Sequence, residues 1–234
     1  PYESIYHEWA PNEKVATEVA YGASIAGVRS VAAMKHVGLN VAADPLFTAA
    51  YNGVGRGFVI ISADDPSMHS SQNEQDNRHY AKAAKIPMFE PSDSQECLDM
   101  MREAFDVSER FDIPVLFRMT TRVSHSRSLV EFGEPLKLEA FPYSRNTRKY
   151  IASPANAMVH RVELEEKMKG LAEYSETSPF NVVEKRGGKI GVISAGGAML
   201  IAKEVFPEDT SFLKLGFTNP LPMNLIREFS ENVE

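Results

Sequence analysis

The chain has 234 residues, with 25 Lys and Arg against 32 Asp and Glu, a net charge of −7, and 43% hydrophobic and 24% charged residues. That length suits one large domain or two small ones, the composition is globular, and the acidic balance argues against a general nucleic-acid binder, which needs a basic face. One cysteine, Cys97, excludes internal disulfides and any Cys-ligated cluster within the chain, and no apolar run approaches the ~18 residues of a membrane-spanning helix. The opening Pro1-Tyr2-Glu3-Ser4 has neither the basic region nor the apolar core of a signal peptide. It also lacks an initiator Met, which suggests a processed chain or a fragment in a cytoplasmic setting.

Helical and extended patterns alternate. Asn12 is placed to cap a helix over 13–27, with Glu13 in its first turn. Ala16, Ala20, Ala23 and Gly27 recur at helical spacing, so this helix is expected to be buried or at an interface, with self-association through it. Residues 30–34 read as a strand, and 44–52 as a helix capped by Asp44 with Pro45 in its first turn. The β-branched run 58–63 reads as a strand buried on both faces. A helix is expected over 74–85, a short strand over 87–90, an amphipathic helix over 94–111 and a buried strand over 114–119. Strand, helix, strand, helix is the pattern of an α/β parallel sheet.

Residues 132–148 break the rhythm with Gly133, Pro135 and Pro142 and read as a connector. Ser153-Pro154 opens a long charged helix to about residue 173. Strands over 189–194 and 212–215 then alternate with helices over 198–205 and 222–231. Two parallel strands cannot cover both faces of a sheet, so this second module is expected to be partial. The expected division is 1–131, a connector over 132–178, and 179–234.

Four runs carry more than composition: 12–16 (NEKVA), 34–45 (MKHVGLNVAADP), 63–76 (ADDPSMHSSQNEQD) and 120–127 (TTRVSHSR). Together they closely resemble the large subunit of indolepyruvate:ferredoxin oxidoreductases, which are thiamine-diphosphate-dependent 2-oxoacid oxidoreductases. Residues 212–222 (FLKLGFTNPLP) resemble that family's transketolase C-terminal-like module. The resemblance implies a pyrimidine-binding domain lacking its first strand–helix unit, followed by part of that second module. The family's Gly-Asp-Gly magnesium motif and Cys-x-x-Cys cluster ligands do not occur in this chain.

The resemblance also implies roles. Glu13 stands where the family has a carboxyl contacting N1′ of the aminopyrimidine, nine residues before Gly22-Ala23. Sharing a proton there favours the imino tautomer, which removes the thiazolium C2 proton. By residue type alone Glu13 is equally a first-turn acid complementing the helix dipole. Glu18, about 140° around the helix, is the neighbouring candidate. His69, Ser70, Ser71 and Gln72, with Gln75 and Asp76, follow the buried strand at its carboxyl end, where parallel sheets collect ligands. His69 is the candidate donor to a 2-oxoacid carboxylate, a proton shuttle, or a plain loop residue before a helix capped by Ser70 or Ser71. Lys35-His36 follows the second strand and either approaches the cofactor or forms a surface turn. Pyruvate-using relatives carry an arginine near 62–65; here the stretch is Ser-Ala-Asp-Asp, which favours an aryl pyruvate and leaves the carboxylate partner unassigned. Arg122 reads best as pairing with a carboxylate to pin the connector, with an anchor for a neighbouring chain, together with His125, as the other reading. Cys97 reads as an inert helix residue, and Arg145, Arg148 and Lys149 as solvated.

The expected function is one part of an enzyme that oxidatively decarboxylates aryl pyruvates to aryl-acetyl-CoA and carbon dioxide. Thiamine diphosphate with Mg2+, [4Fe-4S] clusters and coenzyme A are the implied cofactors. A second copy, a small beta/gamma-type subunit and ferredoxin are the implied partners, with no nucleic acid and no membrane. The alternatives are a non-oxidative thiamine-dependent decarboxylase subunit and a catalytically silent dimerisation domain.

Overall fold

The structure is a computed structural model and describes residues 5–233. It begins with α1 (Glu13–Ile25), whose Asn12 cap accepts from the Val15 N–H at 3.0 Å. The chain continues through β1 (Ser30–Lys35), α2 (His36–Val41), α3 (Ala43–Asn52), β2 (Phe58–Asp64), α4 (Arg78–Ala84) and β3 (Met88–Phe89). Next come α5 (Ser94–Phe111), β4 (Val115–Thr120) and α6 (Thr121–His125). After a stretch without helix or strand follow α7 (Thr147–Tyr150), α8 (Pro154–Thr177), β5 (Val182–Glu184), β6 (Gly191–Ala195), α9 (Gly197–Val205), β7 (Ser211–Leu215), β8 (Phe217–Asn219) and α10 (Met223–Ser230).

The larger sheet has the order β1-β2-β4-β3-β8, and its first four strands are parallel. β2 lies between β1 and β4, with Ile60 opposite Ala32 on one side and Leu116 on the other. Phe58, Val59 and Ile60 are fully buried, each contributing roughly 1.5–3 kcal/mol on transfer from water. Helices supply the crossovers that parallel strands need, α2 and α3 from β1 to β2, α4 from β2 to β3 and α5 from β3 to β4; α5 packs on β2 and β4, and α1, which precedes the sheet, packs on β1 and β2. Asp93 caps the long α5 by accepting from Glu96 N. α8 also joins this layer, since its Leu164, Leu171 and Tyr174 lie in the same core as Phe117 and Phe217. A smaller sheet, β5-β7-β6, holds a second cluster of Leu213, Leu215 and Phe229.

Several sequence expectations are corrected here. α1 ends at Ile25, and Gly27 turns away with φ +100°, in a conformation where a Cβ would strike the Phe141 carbonyl. Asp44 does not cap α3; its carboxylate takes the Lys14 ammonium at 2.8 Å instead. The helix expected over 74–85 is only Arg78–Ala84, because Gln75 and Asn77 spend their side chains on the β1–α2 corner. Ser70 and Ser71 therefore cap nothing. The second module is not two parallel strands, since β5 adds an antiparallel third. β8 leaves that module and pairs antiparallel with β3. Of the small-residue stripe within α1, Ala20 is buried while Ala16 and Ala23 are half-buried, and Glu18, Val19 and Gly22 are exposed. Lys149 is not solvated; its ammonium donates to Asp112 Oδ1 at 2.7 Å and to the Val54 carbonyl at 2.6 Å.

Candidate functional site

The carboxyl ends of the parallel strands form one edge of the molecule. β1 runs straight into α2, β2 into Asp65 and the loop 65–77, β3 into Glu90 and β4 into Thr121. Beneath this edge lies an ionic floor. The Arg118 guanidinium, buried on β4, donates to Asp64 Oδ2 at 2.6 Å and to Glu90 Oε2 at 2.5 Å. Asp64 also takes the Ser62 hydroxyl at 2.7 Å and the Asn77 N–H at 3.1 Å. An arginine inside the apolar run VLFRM was the available signal for this floor, because a charge in a buried strand needs paired partners.

Glu13 sits in the first turn of α1, half-buried, with its side chain laid over Gly38 of α2. Among the described residues its carboxylate takes no hydrogen bond and no ion pair. Glu18 lies on the other side of the helix, exposed, with Oε1 3.9 Å from the Lys14 ammonium.

His36 opens α2 and is fully buried, so it is not a surface turn. Its Nε2 lies 2.9 Å from the Asn73 carbonyl, which can only accept, so Nε2 carries the hydrogen. Nδ1 is buried with no partner among the described residues. The His36 carbonyl accepts from Gln75 Nε2 at 2.9 Å and Asn77 Nδ2 at 3.1 Å, and Lys35 Nζ donates to Gln72 Oε1 at 2.7 Å. Asn73, Gln75 and Asn77 thus tie the loop to α2. Asn73 and Asn77 had no marker in the sequence, since Asn73 meets the His36 ring through its backbone carbonyl and Asn77 Nδ2 reaches the His36 carbonyl, both about 40 positions away.

The loop closes around Asp65. Its carboxylate accepts from Ser70 N at 2.9 Å and Thr121 Oγ1 at 2.6 Å. These bonds, the Ser70 N–H first, hold it well below the usual carboxylate range, with the Ser71 hydroxyl and His69 N–H adding to the effect. Ser67 and Met68 both have positive φ, 69° and 50°, a strained pair for residues with side chains. The result presents His69, Ser70 and Gln72 outward while Ser71 is half-buried. The edge therefore offers an unpaired carboxylate able to share a proton, and an exposed imidazole with hydroxyls and an amide able to bind an anion.

Residues 6–184 match the family model of pyruvate flavodoxin/ferredoxin oxidoreductases, thiamine diphosphate-binding. The chain belongs to this family. Similar curated family members are the indolepyruvate oxidoreductase subunits IorA of Methanothermobacter marburgensis, 50% identical over 239 residues, and of Archaeoglobus fulgidus, 46% identical over 229 residues. Those matches cover 98% and 96% of this chain but 38% and 37% of the relatives, so the chain spans under two-fifths of their length. A 2-oxoglutarate:ferredoxin oxidoreductase from Magnetococcus marinus, solved with 2-oxoglutarate, coenzyme A and succinyl-CoA bound, superposes with a TM-score of 0.73. It is 16% identical and covers 96% of this chain and 48% of its own, a likeness of fold.

Other residues of this oxidoreductase-family chain play no part in the edge just described. Arg122 is exposed and pairs with no carboxylate among the described residues, contrary to the pinning role expected of it; His125 is exposed beside it. Burial and the neighbouring Asp93 push the Cys97 thiol up to about 11, which keeps it protonated and inert at neutral pH. Among the described residues no group of three or more His, Cys, Asp or Glu is placed to hold a metal ion, and no helix is long and apolar enough to cross a membrane.

Proposed function

We propose that this chain supplies the pyrimidine side of a thiamine diphosphate site in an indolepyruvate-type 2-oxoacid:ferredoxin oxidoreductase. In this reading residues 1–131 are the pyrimidine-binding part, 132–178 a connector and 179–234 part of a transketolase C-terminal-like module. The whole enzyme converts an aryl pyruvate and coenzyme A to aryl-acetyl-CoA and carbon dioxide, with the electrons passed through [4Fe-4S] clusters to ferredoxin. A second copy of the chain and a small subunit are its partners, and the magnesium, diphosphate and clusters are held by parts outside this chain.

The observation that carries the reading is Glu13: a half-buried carboxylate with no partner among the described residues, lying at the carboxyl edge of the sheet in a chain of a thiamine diphosphate-binding family. A charge so placed is costly unless a ligand completes it. When bound, thiamine diphosphate supplies the carbon nucleophile that attacks the 2-oxoacid carbonyl. Glu13 holds a proton at N1′ of the pyrimidine, and the walls formed by α1 and α2 exclude water from that proton. His36, whose Nδ1 is buried with no partner among the described residues, is the second cofactor-side residue. The loop carrying His69, Ser70, Ser71 and Gln72 orients the 2-oxoacid, with His69 donating to its carboxylate.

In the assembled enzyme, Glu13→Gln should slow proton–deuterium exchange at thiazolium C2 by about a hundredfold, within the range of general acid–base contributions. Ferredoxin reduction should proceed with indolepyruvate and fail with pyruvate. Exchange at the wild-type rate would remove Glu13 from the chemistry, and turnover of pyruvate would remove the aryl preference.

A further inference from the structure

We propose that Gly38 is a positioning residue for Glu13: its missing side chain is the space in which the Glu13 carboxyl is seated. The proposal rests on the reading of Glu13 given above.

Gly38 is buried inside α2, where a glycine is disfavoured against alanine because it loses more backbone freedom and packs nothing. Its backbone does not call for glycine, since Gly38 is not among the residues of positive φ. What calls for it is space. A Cβ built on Gly38 would lie 2.5 Å from Glu13 Cγ and 3.0 Å from both Cδ and Oε1. Its three nearest atoms all belong to that one side chain.

One of the two must yield, and α2 is the less free. The loop 65–77 grips its first residue at three points, through the Asn73 carbonyl, Gln75 Nε2 and Asn77 Nδ2. Gln75 and Tyr80 hold Asn40 from the next turn, and the neighbouring Leu39 is fully buried in the core. The Glu13 side chain, by contrast, is held by no hydrogen bond or ion pair among the described residues and is the easier of the two to move. A methyl group at position 38 therefore displaces the carboxyl and leaves the fold standing. The same grip gives the loop its place in the design: it keeps α2 pressed against Glu13.

The test is Gly38→Ala beside Glu13→Gln, singly and together, in the assembled enzyme. Gly38→Ala should slow C2 exchange at least about tenfold while cofactor affinity changes less than about threefold, the split expected for a misplaced group rather than a lost binding contact. Adding it to Glu13→Gln should cost nothing more, because both act through one carboxyl. A structure of the Gly38→Ala chain without cofactor should show the Glu13 side chain moved, and its melting temperature should stay within about 3 °C of the parent. Wild-type exchange in Gly38→Ala with slow exchange in Glu13→Gln overturns the proposal and leaves the function standing. So does a full additional loss in the double variant. Wild-type exchange in Glu13→Gln overturns the function and the proposal with it. Should Gly38→Ala unfold, Glu13→Ala/Gly38→Ala must restore folding; failure to do so shows that the conflict is not with Glu13 and overturns the proposal.

Discussion

The two ends of the parallel sheet treat their polar groups differently. At the amino end, Glu109 takes Arg29, Arg56 and the Gly57 N–H. Asp112 there takes the Val54 N–H, Lys149 and Lys167. Ser24 ties α1 to the Arg56 carbonyl, and Ser108 ties α5 to Phe58. These groups close on one another and bring the connector and α8 down onto the sheet. The carboxyl end has a bonded floor around Arg118, in which Glu90 Oε1 alone of the carboxylate oxygens is buried without a partner, but its rim is less complete: among the described residues Glu13 takes no hydrogen bond or ion pair, and His36 Nδ1 is buried without a partner. Natural chains leave such groups unsatisfied where something besides stability requires them. The comparison sets the stability of the floor and the amino end against the chemistry proposed for the rim.

The largest effect should come from the floor. Arg118→Leu leaves Asp64 and Glu90 buried together without a cation, and should destabilise the chain by about 3–5 kcal/mol in urea unfolding. A loss below about 1 kcal/mol would mean that the carboxyls shed their charge and that the floor is not ionic. Next is the amino end. Asp112→Ala removes three hydrogen bonds and puts alanine at φ 52°, but the side chain is 40% exposed, which discounts its ion pairs. A loss of about 1–3 kcal/mol is expected, with Asp112→Asn milder because asparagine tolerates that backbone and keeps an acceptor for Val54. Amide exchange should quicken around α7 first. Uniform loosening would show that the connector is not held there.

A smaller effect separates the loop from the rest by pH. Arg78, donating through Nε and Nη2, draws Asp76 down to about 2 from an ordinary 3.8, and Asp65 is shifted the same way by its own hydrogen bonds. Both bind protons less readily folded than unfolded. Their contribution is therefore full above about pH 4 and lost as pH falls through about 2 for Asp76 and below that for Asp65. Amides of the loop 65–77 should lose protection through that window before those of β2. A loop that keeps its full protection well below pH 2 would refute this anchoring.

What was legible in the sequence was what local chemistry decides. Asn12 caps the helix it was placed to start, and the β-branched run at 58–63 is the interior strand. The features that escaped depend on distant partners. α2 is six residues long and exists because Gln75 and Asn77 hold its first carbonyl. β8 is three residues recruited by β3, with Asn219 Nδ2 donating to the Ile86 carbonyl from far along the chain. Asp44 looked like a cap because it stands before Pro45, yet Lys14 outbids the helix end for its charge. At the edge, Glu13 and His69 were visible as residue types in a resemblance. That Gly38 touches one of them was not, because a glycine's purpose is written in its neighbour.

The smallest expected effect bears hardest on the comparison. If the rim is kept for chemistry, removing its charge should cost the fold nothing. Glu13 has no donor to lose, and glutamine keeps its shape over Gly38, so Glu13→Gln should change unfolding stability by less than about 0.5 kcal/mol. The hydration that a half-buried carboxylate gives up on folding and the favourable place of a first-turn acid on the helix dipole, about 0.3–1 kcal/mol, oppose each other, so the net change should stay small. The same substitution should slow cofactor activation severely, so one residue would carry a large chemical effect and almost no structural one. A loss of 1 kcal/mol or more in urea would mean that the Glu13 charge has a stabilising partner in the folded chain. The carboxyl end would then be closed like the amino end, and the unpaired carboxylate would no longer point to a ligand.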